Sequence, residues 1–300
     1  MMTFDFPHLH KSVIHLMDLQ QKDRIAKIRT PIWIEYPKAR KIISQLEDLL
    51  AYPRMHRMPS LLLTGETNNG KTLLINTFCK RHPADDNPQG EAANVPVLYV
   101  HAPPVPEEGR FYNNILECLS APFRLSSTVG TKESQTLKLL KAVKVKILII
   151  DEFQQLMTGS PNKRQVLLNI IKSLSSKLKI SIVAVGTKEA DRALQNDPPL
   201  ANRFETAFLP QWGNDNNYRR LLMSFESLLP LAYPSGLADA ELSERILSMS
   251  EGYIGEIAQL ISQSAVLAIR SGYEKIDADI LENLDWASPT HRRYRPQLRG

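Results

Sequence analysis

The stretch "LLLTGETNNGKTLLI", residues 61–75, runs from three leucines into a glycine-bounded polar loop, then into Lys71, Thr72 and apolar residues again. Residues 65–72, Gly65-Glu66-Thr67-Asn68-Asn69-Gly70-Lys71-Thr72, match G-x-x-x-x-G-K-[ST] in full. Glycines let the backbone curl so that successive N–H groups converge on phosphate oxygens, and the following helix adds its positive end. In such a loop Lys71 reaches the β- and γ-phosphates and the Thr72 hydroxyl ligates Mg²⁺. The expectation is an ATP and Mg²⁺ site.

A second motif supports the first. In "KILIIDE", residues 146–152, four apolar residues precede Asp151 and Glu152. At the end of a strand beside the loop, Asp151 can hold the magnesium shell, and Glu152 can orient or deprotonate the attacking water. Alone, this would be a strand ending in an acidic turn. Beside the 65–72 loop it is the second half of a nucleotide site.

Working outward, apolar runs alternate with helical patterns from residue 58 to about 210. The expected strands are 60–65, 95–102, 146–152, 180–187 and 206–210, with the middle three nearly continuous in apolar residues. Such runs mark strands covered on both faces, and the alternation predicts a five-stranded parallel α/β sheet sandwiched by helices. After Pro210 the strand signal stops. The domain reading is therefore a helical extension over 1–57, an α/β nucleotide-binding core over 58–212, a helical lid over 213–287 and a mobile basic tail over 288–300. "PKARKIISQLEDLLA", 37–51, is the clearest helix of the extension, with Pro37 suited to its start.

Composition sets outer bounds. A hydrophobic fraction of 43% and a charged fraction of 23% are ordinary for a soluble globular chain. No apolar run approaches the roughly 20 residues needed to cross a bilayer, so a cytoplasmic protein without a membrane partner is expected. Cys79 and Cys118 cannot form a disulfide framework, and both fall in apolar helical patterns, as buried thiols do. The net charge of +5 is compatible with a polyanionic partner without establishing one.

Two further positions favour an oligomeric ATPase over a small-molecule kinase. Thr187 ends the fourth strand, where it either senses the γ-phosphate or caps the helix "KEADRAL". Arg203 in "LANRFETAFLP" precedes the fifth strand, where it either reaches a neighbouring subunit's phosphates or is an ordinary surface arginine.

The loop "GETNNGKT", the strand "LIIDE", "VAVGT" and "LANRF", followed by a helical lid, resemble the AAA+ ATPases. Within them, "RTPIWIEYPKARKIISQLEDLLAYPRMHRMPSLLLTGETNNGKT" resembles TniB and related TnsC-type transposition regulators, over roughly residues 25–285. The resemblance implies ATP-dependent polymerisation around double-stranded DNA, recruitment of a transposase and communication with a TniQ-type target-selection protein. It places Ile32, Trp33 and Ile34 near the adenine, with packing as the alternative for Trp33 and Tyr36. It also points to the segment after the second strand for DNA contact, where Arg110, Thr131 and Lys132 can hold phosphates from a helix edge without reading bases, with a solvated helix face as the alternative for each. One departure concerns the lid: "GYIGEIAQLI" carries Gly255-Glu256 with no arginine where many AAA+ lids have a second sensor. Arg219 or Arg220 could substitute, and slow hydrolysis is the expectation. A helicase-loader or replication-initiator ATPase, and a structural ATP-binding filament with incidental hydrolysis, are the alternatives. The tail, with Arg292, Arg293, Arg295 and Arg299, is either a solvated end or a tether anchored by Tyr294 and Leu298.

Overall fold

The computed structural model describes residues 6–90, 92–195 and 198–294. The chain forms two compact units. One comprises residues 37–67 and 71–210; the other comprises 1–36, 68–70 and 211–300. The expected 1–57 extension is thus divided: its first part belongs to the helical unit, while Pro37–Ala51 belongs to the α/β unit.

The α/β unit holds β1 Ser60–Gly65, β2 Val97–His101, β3 Ile147–Asp151, β4 Ser181–Gly186 and β5 Phe204–Leu209. Their order across the sheet is β2-β3-β4-β1-β5, and every pairing is parallel. The register pairs Thr64 with Gly186 and His101 with Asp151, so the strands' carboxyl ends share one edge. In an open parallel sheet that edge is where ligands bind.

Burial explains the apolar runs. Every residue of β1, β3 and β4 is buried, because helices cover both faces. The second strand, expected to be covered on both faces, lies at the sheet edge, with Tyr99 half-buried and His101 exposed. Hydrophobicity reports cover on the two faces and is blind to a missing lateral neighbour. The core joins Val100, Leu148, Ile150 and Ile182 to Phe111, Ile115, Leu167 and Leu174 from two helices, each burial contributing roughly 1.5–3 kcal/mol. Helix starts are set locally. Ser160 accepts a hydrogen bond from the Lys163 N–H ahead of Pro161–Leu178, and Thr128 does the same for Thr131 ahead of Val129–Ala142.

The helical unit is built around Ile254–Ser271, which buries Ile257, Leu260, Ile261 and Ile269. Asn216–Ser227 and Ala240–Ser250 pack on it, and so do Ile25, Ile28 and Ile34 from the chain's beginning. Arg24 fastens this junction. Its guanidinium donates to Glu274 at 3.0 and 2.5 Å and to the Pro230 carbonyl. The first part of the tail is docked, contrary to the mobile tail expected over 288–300. The Thr290 N–H and hydroxyl donate to Glu251 at 2.8 and 2.7 Å, and Arg292 pairs with Glu256. Its end, residues 295–300 with Leu298, lies outside the described residues. Among the described residues no helix is long and apolar enough to cross a membrane.

Candidate nucleotide site

β1 delivers the 65–72 loop to the carboxyl edge of the sheet. Lys71 opens the helix Lys71–Arg81 and bends back, with Nζ donating to the Gly65 carbonyl at 2.8 Å and to that of Glu66 at 2.7 Å. Lys71 is buried, and burial pulls its pKa below the ordinary lysine value while Glu152, Asp151 and Glu66 oppose the shift. A buried ammonium ringed by carbonyls and carboxylates is arranged to receive an anion.

The tip of the loop, residues 68–70, groups with the helical unit. Asn68 and Gly70 adopt left-handed backbone, with φ of 62° and 81°. The Asn68 carbonyl accepts the Gly255 N–H at 3.0 Å, and its side-chain Nδ2 donates to Glu256 Oε1 at 2.8 Å. A Cβ on Gly255 would lie 2.0 Å from Asn68 Oδ1, so only glycine fits there. Glu256 is 6% exposed, and the arginine that reaches it is Arg292; Arg219 and Arg220 are exposed on Asn216–Ser227.

β3 delivers the acids. Asp151 is 1% exposed, and its Oδ2 accepts the Thr72 hydroxyl at 3.1 Å and the Tyr99 hydroxyl at 2.6 Å. Its Oδ1 accepts the Glu152 N–H at 2.8 Å. Burial, and then the Asp151 carboxylate, drive the Tyr99 pKa far upward, so Tyr99 stays a phenol and a donor. Sequence reasoning missed Tyr99. Its signal is the period of a strand: two residues before His101, which pairs with Asp151, it shares a face with that end. Glu152 sits in left-handed backbone, φ 56°, at the head of the short helix Phe153–Met157. Gln154, also missed, donates Nε2 to Glu152 Oε2 at 2.5 Å and accepts the Thr187 N–H on Oε1.

The remaining candidates divide. The Thr187 hydroxyl donates to Glu189 at the start of Lys188–Gln195. Arg203 is half-buried before β5 and donates to Ser176 Oγ at 3.4 Å. In the helical unit, Tyr36 packs edge-on against Trp212 at 4.9 Å, while the Trp33 indole N–H is buried without a hydrogen-bond partner among the described residues. Arg110 is exposed and paired with Glu107 at 2.7 Å, and Thr131 is exposed. Lys132 corrects the expectation: it is 5% exposed, and Nζ donates to the Leu125 carbonyl, so its charge is turned inward rather than held at a helix edge. Thr131 instead shares a shallow groove with Thr128, Ser134, Gln135 and the exposed Lys138. Of the cysteines, expected as buried thiols, Cys79 is half-buried and Cys118 is exposed.

Known proteins resemble this chain in family and in fold. The family model described as "Bacterial TniB protein" matches residues 24–214. No curated protein matches the chain. Among solved structures, the Aeropyrum pernix ORC2 protein in its ADPNP-ADP complexes is 15% identical with a TM-score of 0.61, over 85% of this chain and 70% of that one. Cdc6p from Pyrobaculum aerophilum is 16% identical with a TM-score of 0.56, over 83% of this chain and 67% of that one. The A. pernix ORC1 protein in complex with DNA is 17% identical with a TM-score of 0.57, over 83% of this chain and 64% of that one. At such identities the likeness speaks for the fold, which is that of the AAA+ ATPases. The family match extends over more than half of the sequence and takes in the phosphate loop, Asp151, Glu152 and Arg203. The chain belongs to the bacterial TniB family.

Proposed function

We propose that this chain is an ATPase that assembles as an oligomer on double-stranded DNA and there recruits or activates a transposase, under a TniQ-type target-selection protein. One observation carries the ATP reading: Lys71, Thr72, Asp151 and Glu152 converge at the carboxyl edge of a parallel sheet. The residues fit Mg-ATP. The Thr72 hydroxyl and Asp151 Oδ2, 3.1 Å apart, suit an ion that takes one or two protein ligands and fills its shell with water and phosphate. Bound there, Mg²⁺ would neutralise phosphate charge. The backbone of residues 65–70 and Lys71 hold the phosphates, Glu152 takes a proton from the attacking water, and Tyr99 keeps Asp151 oriented. Thr187 stands beside this edge, Trp33 is the candidate for the base, and Arg203 is assigned to a neighbouring subunit's phosphates.

Family membership supports the transposition reading, and the DNA complex of the A. pernix ORC1 protein supports DNA binding. Arg110, Thr131 and Lys138 present donors without a base-reading motif, so binding is sequence-independent and follows phosphate charge. The Orc and Cdc6 likeness favours one second reading, a replication-initiator or helicase-loader ATPase. A cytoplasmic site of action belongs to either. Electron microscopy with ATP and random-sequence duplex DNA should show ordered oligomers that are absent without nucleotide. Pull-down from the host should return a transposase. Return of a replicative helicase instead would favour the second reading, and no DNA-dependent assembly would overturn both.

A further inference from the structure

Gln154 lies two residues beyond Glu152, and both ends of its amide are used. Nε2 donates to Glu152 Oε2 at 2.5 Å, and Oε1 accepts the Thr187 backbone N–H at 3.3 Å. The amide's orientation is forced, because a carboxylate only accepts and a backbone N–H only donates. The amide crosses the end of β4 over Gly186, where an added Cβ would stand 2.7 Å from Gln154 Oε1 and 2.9 Å from Ala190 Cβ. Gly186 therefore leaves the space that the amide fills. The segment carrying it is pinned by Phe153 and Leu156, both fully buried, while Glu152 holds a left-handed backbone that a side chain adopts at some cost.

Local strain of this kind persists only where the surroundings impose it. Here they do so through the Asp151 carboxylate on the Glu152 N–H and through Gln154 on its side chain.

We propose that Gln154 is the positioning residue for Glu152: it holds Oε2 so that Oε1 is aimed to accept the water proton, and it locks that aim to the end of β4. This rests on the reading of Glu152 as the base. It extends that reading to a residue that acts through Glu152.

The test measures steady-state ATP turnover and binding of a fluorescent ATP analogue by the full-length chain with duplex DNA. Gln154→Met keeps length and loses both hydrogen bonds. Its kcat should fall roughly 10- to 100-fold, the rate equivalent of one hydrogen bond to a charged group, with analogue affinity unchanged. Gln154→Glu keeps the length and the Oε1 acceptor but sets an acceptor where Glu152 had a donor. Its kcat should fall at least as far as that of Gln154→Met, again with analogue affinity unchanged. Wild-type kcat or faster turnover in Gln154→Met, with Glu152→Gln inactive, would overturn the positioning role and leave Glu152 as the base. Parallel losses of kcat and nucleotide affinity in Gln154→Met, or wild-type kcat in Gln154→Glu, would reduce Gln154 to a packing residue. Full turnover by Glu152→Gln would remove the base itself and the proposal with it.

Discussion

The α/β unit and the helical unit solve the same problem, covering apolar surface, with opposite use of chain order. In the α/β unit each of the first four strands is followed by a helix of the same unit, and β2, β3 and β4 are neighbours both in sequence and across the sheet. The helical unit gathers residues 1–36, 68–70 and 211–300 around one long helix. Arg24 and Glu274 meet there across 250 residues, and Gln21 donates to the Ile269 carbonyl across 248. The difference teaches that periodicity names the buried face of a helix and leaves its partner unnamed. The first unit is written locally, and the second is closed by distant contacts.

Chemistry concentrated in the local unit should break without unfolding it. Glu152→Gln removes a base and should cut turnover roughly 10²- to 10⁴-fold while the chain still binds nucleotide. Arg203→Ala should be comparably inactive alone. Mixed, the two variants can form interfaces that join an intact Glu152 to an intact Arg203, and partial activity should return. Arginine fingers elsewhere contribute about 10³–10⁵ in rate, so even a weaker one would be visible. Confirmed mixed oligomers without recovery would assign Arg203 to its own surface, where it now reaches Ser176.

The distant unit should break the other way, by stability. Arg24 and Glu274 have side chains only 10% and 18% exposed, so losing one partner strands a charge. Arg24→Met should destabilise the helical unit by roughly 3 kcal/mol, read as faster amide exchange along Ile254–Ser271. Strand amides of β1, β3 and β4 should keep their protection. Glu274→Gln on top of Arg24→Met should recover part of that loss, because the stranded charge is then removed. Equal loss of protection in both units would mean that they unfold together.

These contrasts explain what the sequence disclosed. β1 was readable to the residue because an unbroken apolar run met a glycine loop whose spacing is set by phosphate geometry. Asp151 and Glu152 were readable because strand ends beside such a loop carry acids. Tyr99 and Gln154 were not, since a tyrosine in a strand or a glutamine in a short helix has many uses, and only the register aims them. Lys132 failed for a related reason. Sequence puts it on a helix, but the rotation that turns its ammonium to the Leu125 carbonyl depends on the loop packed beside it. The docked tail was hidden because composition alone records four arginines and two prolines, and not the buried Glu256 that awaits one of them.

Alkaline pH offers a finer separation. Burial raises the Cys79 thiol from 9.0 to about 11 in the α/β unit, and the Tyr36 phenol from 10.0 to about 12 in the helical unit. Each group stays protonated in the fold while the unfolded chain ionises. The stability each contributes is therefore full below the unfolded value and lost as pH rises through the folded one. The α/β unit should begin to weaken about one pH unit before the helical unit. Trp33, Trp212 and Trp286 all belong to the helical unit, so tryptophan fluorescence in urea follows it alone, while the alkylation rate of Cys79 follows the other. Coincident alkaline transitions by both probes would erase the distinction.

The smallest effect should come from the tail, and it separates docking from recruitment. Arg292 pairs with Glu256 and stacks over Trp286 at 5.5 Å, but its side chain is 43% exposed. Exposure and salt screening limit such a pair to about 1 kcal/mol or less. Arg292→Ala should therefore lower the helical unit's melting temperature only slightly, and the difference should shrink in high salt. Glu256 would keep Asn68 as a donor at 2.8 Å, so the loop tip should hold and ATP affinity should change little. Recruitment is a separate matter. Deleting residues 295–300 leaves every docked contact of Thr290 and Arg292 in place and removes Arg295, Leu298 and Arg299. If the tail is a tether, that deletion should reduce transposase or target-selector capture with turnover and melting temperature unchanged, whereas Arg292→Ala should do the reverse. Equal capture by the truncated chain would leave the tail as a brace for Glu256 alone. Loss of DNA binding on truncation would assign the last arginines to phosphate.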